Sequence, residues 1–223
     1  MRLVLPRLYV ILDAALLTIP ESDCARQLVD AGVRLLQYRN KAASSRDLLE
    51  SAKRLSAELI PRSVTFLVND RADVAALGGA SGVHVGQEDL SVEEARAVVG
   101  RSKLVGISTH NRAQFERAAA SSADYIAVGP IFSTSTKPNP DPVVGTEFMR
   151  QVRPLTDKPI VAIGGITVER AAEVVRAGAD SVAVISDILR ARKPGERARQ
   201  FLEMLEAATT RQASKDVVRL EER

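Results

Sequence analysis

The chain has 223 residues, of which 45% are hydrophobic and 26% charged, an ordinary globular composition with length enough for one large core. Its net charge of +3 comes from interleaved acids and bases, and only 4% of residues are aromatic, so the basic, aromatic-studded patch that nucleic-acid binding needs is not evident. No run reaches the ~18 uninterrupted apolar residues of a membrane span.

The first predicted strand, RLYVIL (7–12), exits at Asp13. The segment around it is interrupted by Pro6, Arg7 and Asp13 and has no clean small-residue cleavage site, so it does not read as a signal peptide. A helix over SDCARQLVDAG follows. Its Cys24, the one cysteine, reads as a small core hydrophobe, in keeping with a reducing cytoplasm. The second strand, VRLLQY (33–38), leaves through QYRNK. The next segment, SSRDLLESAKRLSAEL, sets Leu48, Leu49, Ala52, Leu55 and Leu59 on one helical stripe.

Strands VTFLV (64–68) and GVHV (82–85) exit through NDR and GQED. The helix SVEEARAVVG then opens with Ser91 and Glu94 at capping-box spacing and ends at Gly100. KLVGI (103–107) exits through STH, and DYIAV (124–128) through the long loop GPIFSTSTKPNPDPVVG. PIVAI (159–163) exits through GGI into the helix TVERAAEVVRAGAD, and SVAVI (181–185) runs into SD. AGVR (31–34) and AGAD (177–180) are joints of one kind, a glycine ending a helix just before a strand.

Nearly continuous apolar runs are what parallel strands covered on both faces require. Eight such units without a composition break predict the α/β class and a single (β/α)8 barrel over residues 1–208. A doubly wound sheet would place a glycine-rich turn after strand one, where this chain has DAALL. Residues 209–223 are charged and read as a frayed helix or tail.

Active sites of such barrels lie at the carboxyl ends of the strands. Here the polar and glycine residues gather at those ends, while the opposite ends carry plain joints such as AG and SA. In QYRNK, Arg39 can fork onto a phosphate and Lys41 adds a compact charge. Gln37 can read a ring's donor and acceptor edge, and Tyr38 packs behind the sheet. Asp70 and Asp89, after adjacent strands, can supply the carboxylates that Mg²⁺ takes; both can equally cap the helices that follow them. Gly164, Gly165 and Ser186 suggest a phosphate site after strands seven and eight. The STSTKPNPDP run, with Thr134, Ser135, Thr136 and Lys137, reads as a lid, a phosphate-binding loop or a solvated loop. His84, inside strand four, reads as a packed, hydrogen-bonded histidine. His110 occupies a more exposed strand exit beside Ser108. No metal cluster with Cys24 and no Ser–His–Asp triad can be assembled.

Taken in order, QYRNK, ND, HVGQED, GISTH, GPIFSTSTK, AIGGI and VIS closely resemble the thiamine-phosphate synthase family, from LYVILD to AVISDI. The resemblance implies a cytoplasmic transferase of thiamine biosynthesis. Such an enzyme joins 4-amino-5-hydroxymethyl-2-methylpyrimidine diphosphate to a thiazole phosphate and releases diphosphate, with one Mg²⁺ per subunit. It implies that Gln37, Tyr38, Arg39, Asn40, Lys41, Asn69, Ser108 and Lys137 bind the pyrimidine diphosphate. Among these, Arg39, Lys41, Ser108 and Lys137 would act in catalysis. Thr134, Ser135, Thr136, Gly165, Ile185 and Ser186 would hold the thiazole phosphate, and Asp70 and Asp89 the metal. Many relatives have Glu where this chain has Asn40. Small-molecule partners are expected, with neither nucleic acid nor membrane, and a homo-oligomer is left open. The alternatives are a thiazole tautomerase of the same superfamily, working through His110, and a non-catalytic sensor of phosphorylated ligands.

Overall fold

Each of the eight apolar runs forms a strand: β1 Leu8–Asp13, β2 Leu35–Arg39, β3 Thr65–Asn69, β4 Gly82–Val85, β5 Leu104–Thr109, β6 Tyr125–Val128, β7 Ile160–Ile163 and β8 Ser181–Val184. They belong to a computed structural model that describes residues 3–134, 136 and 141–221, with side chains of the last helix described as far as Ala208. Every strand pairs in parallel with the next, and β1 also pairs with β8, so the sheet closes into a barrel. The closing register sets Val10 against Leu36 on one side and Val184 on the other.

The helices are α1 Glu21–Asp30, α2 Ser45–Leu59, α3 Ala72–Leu77, α4 Val92–Val99, α5 Arg112–Ala120, α6 Gly145–Val152, α7 Val168–Arg176, α8 Ser186–Leu189 and α9 Pro194–Glu221. Amphipathic spacing seats them. In α2, Leu48, Ala52, Leu55 and Leu59 are buried, which puts one face on the barrel wall and leaves the charges outside. The helix α9 packs on α7, α8 and α1 and buries Ala198, Phe201 and Leu205, so it completes the outer layer between the last and first units of the barrel. Among the described residues no helix is long and apolar enough to cross a membrane.

Alternation along each strand divides the core in two. Leu8, Val10 and Leu12 of β1 join the shell between strands and helices. Tyr9 and Ile11 join Leu35, Leu67, Tyr125, Ala127, Val161 and Ala183 inside the barrel. The amino end of this interior is apolar, with Leu5 buried and Leu3 packed against it.

The glycine joints behave alike. Gly32 and Gly178 adopt φ of 109° and 111°, a conformation cheap only for glycine. Each donates its N–H three residues back, to Val29 and Val175. Outside the amino end, Asp124 and Asp180 share a second device. Each accepts an amide at the start of the preceding strand, Val105 N, second in β5, at 2.7 Å and Ile160 N, first in β7, at 2.8 Å. Each also pairs with an arginine, Arg96 and Arg153. These carboxylates hold strands together at the end away from the mouth.

One interior contact leaves no slack. A Cβ on Gly106 would lie 2.0 Å from Tyr125 Cζ, so a side chain there must displace a fully buried ring. Gly106→Ala should cost about 1–3 kcal/mol, read as a fall in Tm of roughly 2–4 °C per kcal/mol. An unchanged melting temperature would contradict this packing.

Candidate active site

The strand parity that puts Tyr9 and Leu35 inside the barrel also turns Asp13, Gln37, Arg39, Asn69, His84 and Ser108 toward its axis. QYRNK therefore splits by position. Arg39 ends β2 on the inner row, and its guanidinium pairs with Asp13. Asp13 is 2% exposed and also accepts Ala15 N. A buried charge needs such a partner, so Asp13 aims Arg39. Tyr38 packs in the outer shell, as expected, with its hydroxyl donating to Glu21 at 3.2 Å. Asn40 shapes the turn: its amide oxygen accepts the Ala42 and Ala43 amides and its nitrogen donates to the Tyr38 hydroxyl. Lys41 reaches across the rim, its Nζ 3.1 Å from Asp70 Oδ2.

Asp70 has φ of 62°, a left-handed conformation that costs a non-glycine residue strain and is best tolerated by Asp and Asn. The turn is fixed by its N–H to His84 O at 2.8 Å and by Arg71 N to Asn69 O at 2.7 Å. It brings the Asp70 carboxylate near enough to that of Asp89 for the two to interact. Asp89 also accepts Gly86 N at 2.7 Å. Desolvation pushes the Asp89 carboxyl above its usual range and the neighbouring Asp70 adds to this, while the Gly86 amide and Lys41 oppose it.

Neither aspartate caps a helix. The N-cap of α3 is Arg71, without a side-chain bond, and that of α4 is Ser91, in a reciprocal capping box with Glu94. The helix-capping alternative is thereby removed. Two hard oxygen donors held against their mutual repulsion are a chemically suitable pair for Mg²⁺, which needs only one or two carboxylates. Among the described residues no group of three His, Cys, Asp or Glu side chains converges, so the donor set here is this pair.

Across the mouth lies a cradle of hydroxyls and turned glycines. Thr134 Oγ1 lies 3.3 Å from Thr136 Oγ1, which lies 3.4 Å from Ser186 Oγ. Gly164 and Gly165 adopt φ of 101° and 63°, and a Cβ on Gly165 would lie 2.3 Å from Ser133 O. The β6 exit is thus laid onto the β7 exit, joined by Ile131 N to Ile163 O and Phe132 N to Gly164 O. Ile185 precedes α8 and packs against the interior cluster. Ser135 and Lys137, expected here, lie outside the described residues.

His84 is packed and hydrogen-bonded, 2.8 Å from Tyr125 OH through Nδ1 and 2.8 Å from Ser108 Oγ through Nε2. His110 faces Gly129 O through Nδ1 at 2.6 Å and Asp141 through Nε2 at 3.4 Å. Gln87 donates to Ser108 O at 2.7 Å, tying the β4 exit to β5. In the sequence pattern Tyr9 and Tyr125 stand only as strand residues. The missed signal is parity: both share the inner row with Asp13, and a buried phenol must find a partner.

Fold and mouth define the class: a (β/α)8 barrel with cations, a carboxylate pair and a hydroxyl cradle at its carboxyl end. The sequence model of the thiamine monophosphate synthase family matches residues 8–188, and the chain belongs to that family. It is 53% identical over 208 residues to a thiamine-phosphate synthase of Koribacter versatilis, covering 90% of this chain and 96% of that one. To the enzyme of that name from Chloroflexus aurantiacus it is 43% identical over 199 residues, covering 87% and 90%. Among solved structures, thiamine phosphate pyrophosphorylase from Pyrococcus furiosus superposes with a TM-score of 0.82 at 31% identity, covering 91% and 96%.

The assignment of Asp89 is open to a stability test. Asp89→Asn keeps an oxygen for Gly86 N–H and removes one of two neighbouring negative charges, so the melting temperature should hold or rise. Ser91→Ala removes the true cap and should cost about 1 kcal/mol. Thermal unfolding of both variants checks this, and a larger loss in Asp89→Asn would make Asp89 a structural residue.

Proposed function

We propose that the chain joins 4-amino-5-hydroxymethyl-2-methylpyrimidine diphosphate to a thiazole phosphate, yielding thiamine phosphate and diphosphate. The observation that carries this reading is the convergence of Lys41 and the Asp70–Asp89 pair on one rim, facing the Thr134–Thr136–Ser186 cradle. One rim suits a diphosphate and its metal; the other suits a single phosphate.

Arg39, held by Asp13, and Lys41 bind the diphosphate oxygens and oppose the charge that grows there as the carbon–oxygen bond breaks. Asp70 and Asp89 would hold one Mg²⁺, which when bound supplies further charge neutralisation to the leaving diphosphate. Lys137 belongs to the same cationic set in this reading. Asn69, Gln37 and Ser108 line the pocket for the pyrimidine. Tyr38 and Asn40 act from behind it by fixing the turn that aims Lys41. The exocyclic amino group feeds electrons into the ring, so the pyrimidine-methyl cation left behind needs no protein base. The thiazole nitrogen captures it from the opposite rim, with Thr134, Ser135, Thr136, Gly165, Ile185 and Ser186 gripping the thiazole phosphate. Holding both partners in one mouth supplies the proximity advantage. A reducing cytoplasm suits this enzyme: its lone thiol, Cys24, is buried and burial pushes it up to about 11.

Incubation with both substrates and Mg²⁺ should release diphosphate and form thiamine phosphate, and a chelator should stop it. Asp89→Asn should lose roughly 100-fold or more of that turnover. Tautomerisation of a thiazole carboxylate without condensation, or binding without turnover, would contradict the reading.

A further inference from the structure

Five polar side chains from five strands meet inside the barrel and form one continuous line. Gln37 Nε2 donates to Tyr9 OH at 2.6 Å. Tyr9 OH lies 3.1 Å from Tyr125 OH, and Tyr125 OH lies 2.8 Å from His84 Nδ1. His84 Nε2 lies 2.8 Å from Ser108 Oγ. The Tyr9 and Tyr125 rings meet edge to face, and the Tyr125 and His84 rings stack.

Hydrogen counting, started from the Gln37 amide with its Nε2 on Tyr9, gives this line a direction. A phenol carries one hydrogen and a neutral imidazole one. Tyr9 receives a hydrogen from Gln37, so its own goes on to Tyr125. That of Tyr125 then goes to Nδ1, which must be bare. The imidazole hydrogen therefore sits on Nε2 and goes to Ser108 Oγ. Left over are the Gln37 amide oxygen with the second Nε2 hydrogen at one end and the Ser108 hydroxyl hydrogen at the other. Because Nε2 is held on Tyr9, the oxygen is the Gln37 atom turned away from the line. Reversing any single link would set two hydrogens or two lone pairs face to face in a buried site, which costs the desolvation of both. Only a concerted reversal, with the Gln37 amide turned over, is otherwise consistent. Burial first, and for Tyr125 also the neighbouring Tyr9, pushes both phenols above their usual range, so both keep their hydrogens.

We propose that Tyr9, Tyr125 and His84 are positioning residues that lock one hydrogen-bond polarity across the barrel, so that Gln37 meets the substrate ring as an acceptor and Ser108 as a donor. The assignment rests on the functional reading above, in which these two residues flank the aminopyrimidine. That ring offers a matching pair, an exocyclic amino donor and ring-nitrogen acceptors. An analogue with an oxo group in place of the amino group offers an acceptor where the locked line also presents one. Discrimination then arises from residues that never touch the ring.

The direct test is nitrogen-15 NMR of the His84 imidazole, with His110→Asn removing the only other histidine signal. The expected form is neutral, with hydrogen on Nε2 and a bare Nδ1. Hydrogen on Nδ1, or on both nitrogens, overturns the proposal. The functional test is Tyr125→Phe, with folding checked by thermal unfolding. Preference for the amino over the oxo pyrimidine diphosphate should fall roughly tenfold or more, with KM for the thiazole phosphate unchanged. An unchanged preference in the folded variant also overturns it. Should Tyr125→Phe fail to fold, the NMR result decides alone. Absence of turnover in the unsubstituted protein would contradict the functional reading while leaving the tautomer measurement valid.

Discussion

Closure of eight parallel strands forces alternate residues of every strand into one confined interior. Nothing in that space can be solvated from the side, so each polar atom needs a partner within it or an outlet at the mouth. The amino end meets this condition by being apolar, with Leu5, Leu35 and Leu67 among its fillers. The carboxyl end meets it by pairing: Asp13 with Arg39, and Tyr9, Tyr125, His84, Gln37 and Ser108 with one another. The mouth is where leftover donors, acceptors and charges emerge.

The same economy governs the charges on the rim. Helix capping is done by Ser44, Ser91 and Asn111, whose side chains accept from their own first turns. Asp70 and Asp89 cap neither of the helices that follow them. Their proximity is unfavourable on its own, as the upward push on Asp89 records, and the left-handed backbone at Asp70 adds strain. Lys41 offsets part of this at 3.1 Å. An arrangement that costs stability and caps nothing is the mark of a site arranged for a ligand.

Much of this was legible in the chain because barrel strands are short and apolar and their exits are not. The strand runs and the two AG joints follow from patterns with a direct physical cause. Asp70 and Asp89 were ambiguous for an equally physical reason: aspartate suits both an N-cap and a hard cation, and only the position of Ser91 and the turn at Asp70 separate the two. Asn40 was uncertain because its job is local, an amide closing its own turn. Tyr9 and Tyr125 stayed hidden because a tyrosine within an apolar run looks like core, and the line they form joins residues 28 and 116 positions apart. The Asp13–Arg39 pair was hidden likewise, since Asp13 stood at the mouth without a visible partner.

The central claim is that Asp70 and Asp89 hold a divalent cation facing Arg39 and Lys41 across a diphosphate. Crystals grown with Mn²⁺ and inorganic diphosphate would test it by anomalous scattering. The account predicts one manganese peak between the two carboxylates, with diphosphate running from the metal to Arg39 and Lys41. A peak elsewhere, or a diphosphate bound without metal at that pair, would contradict it.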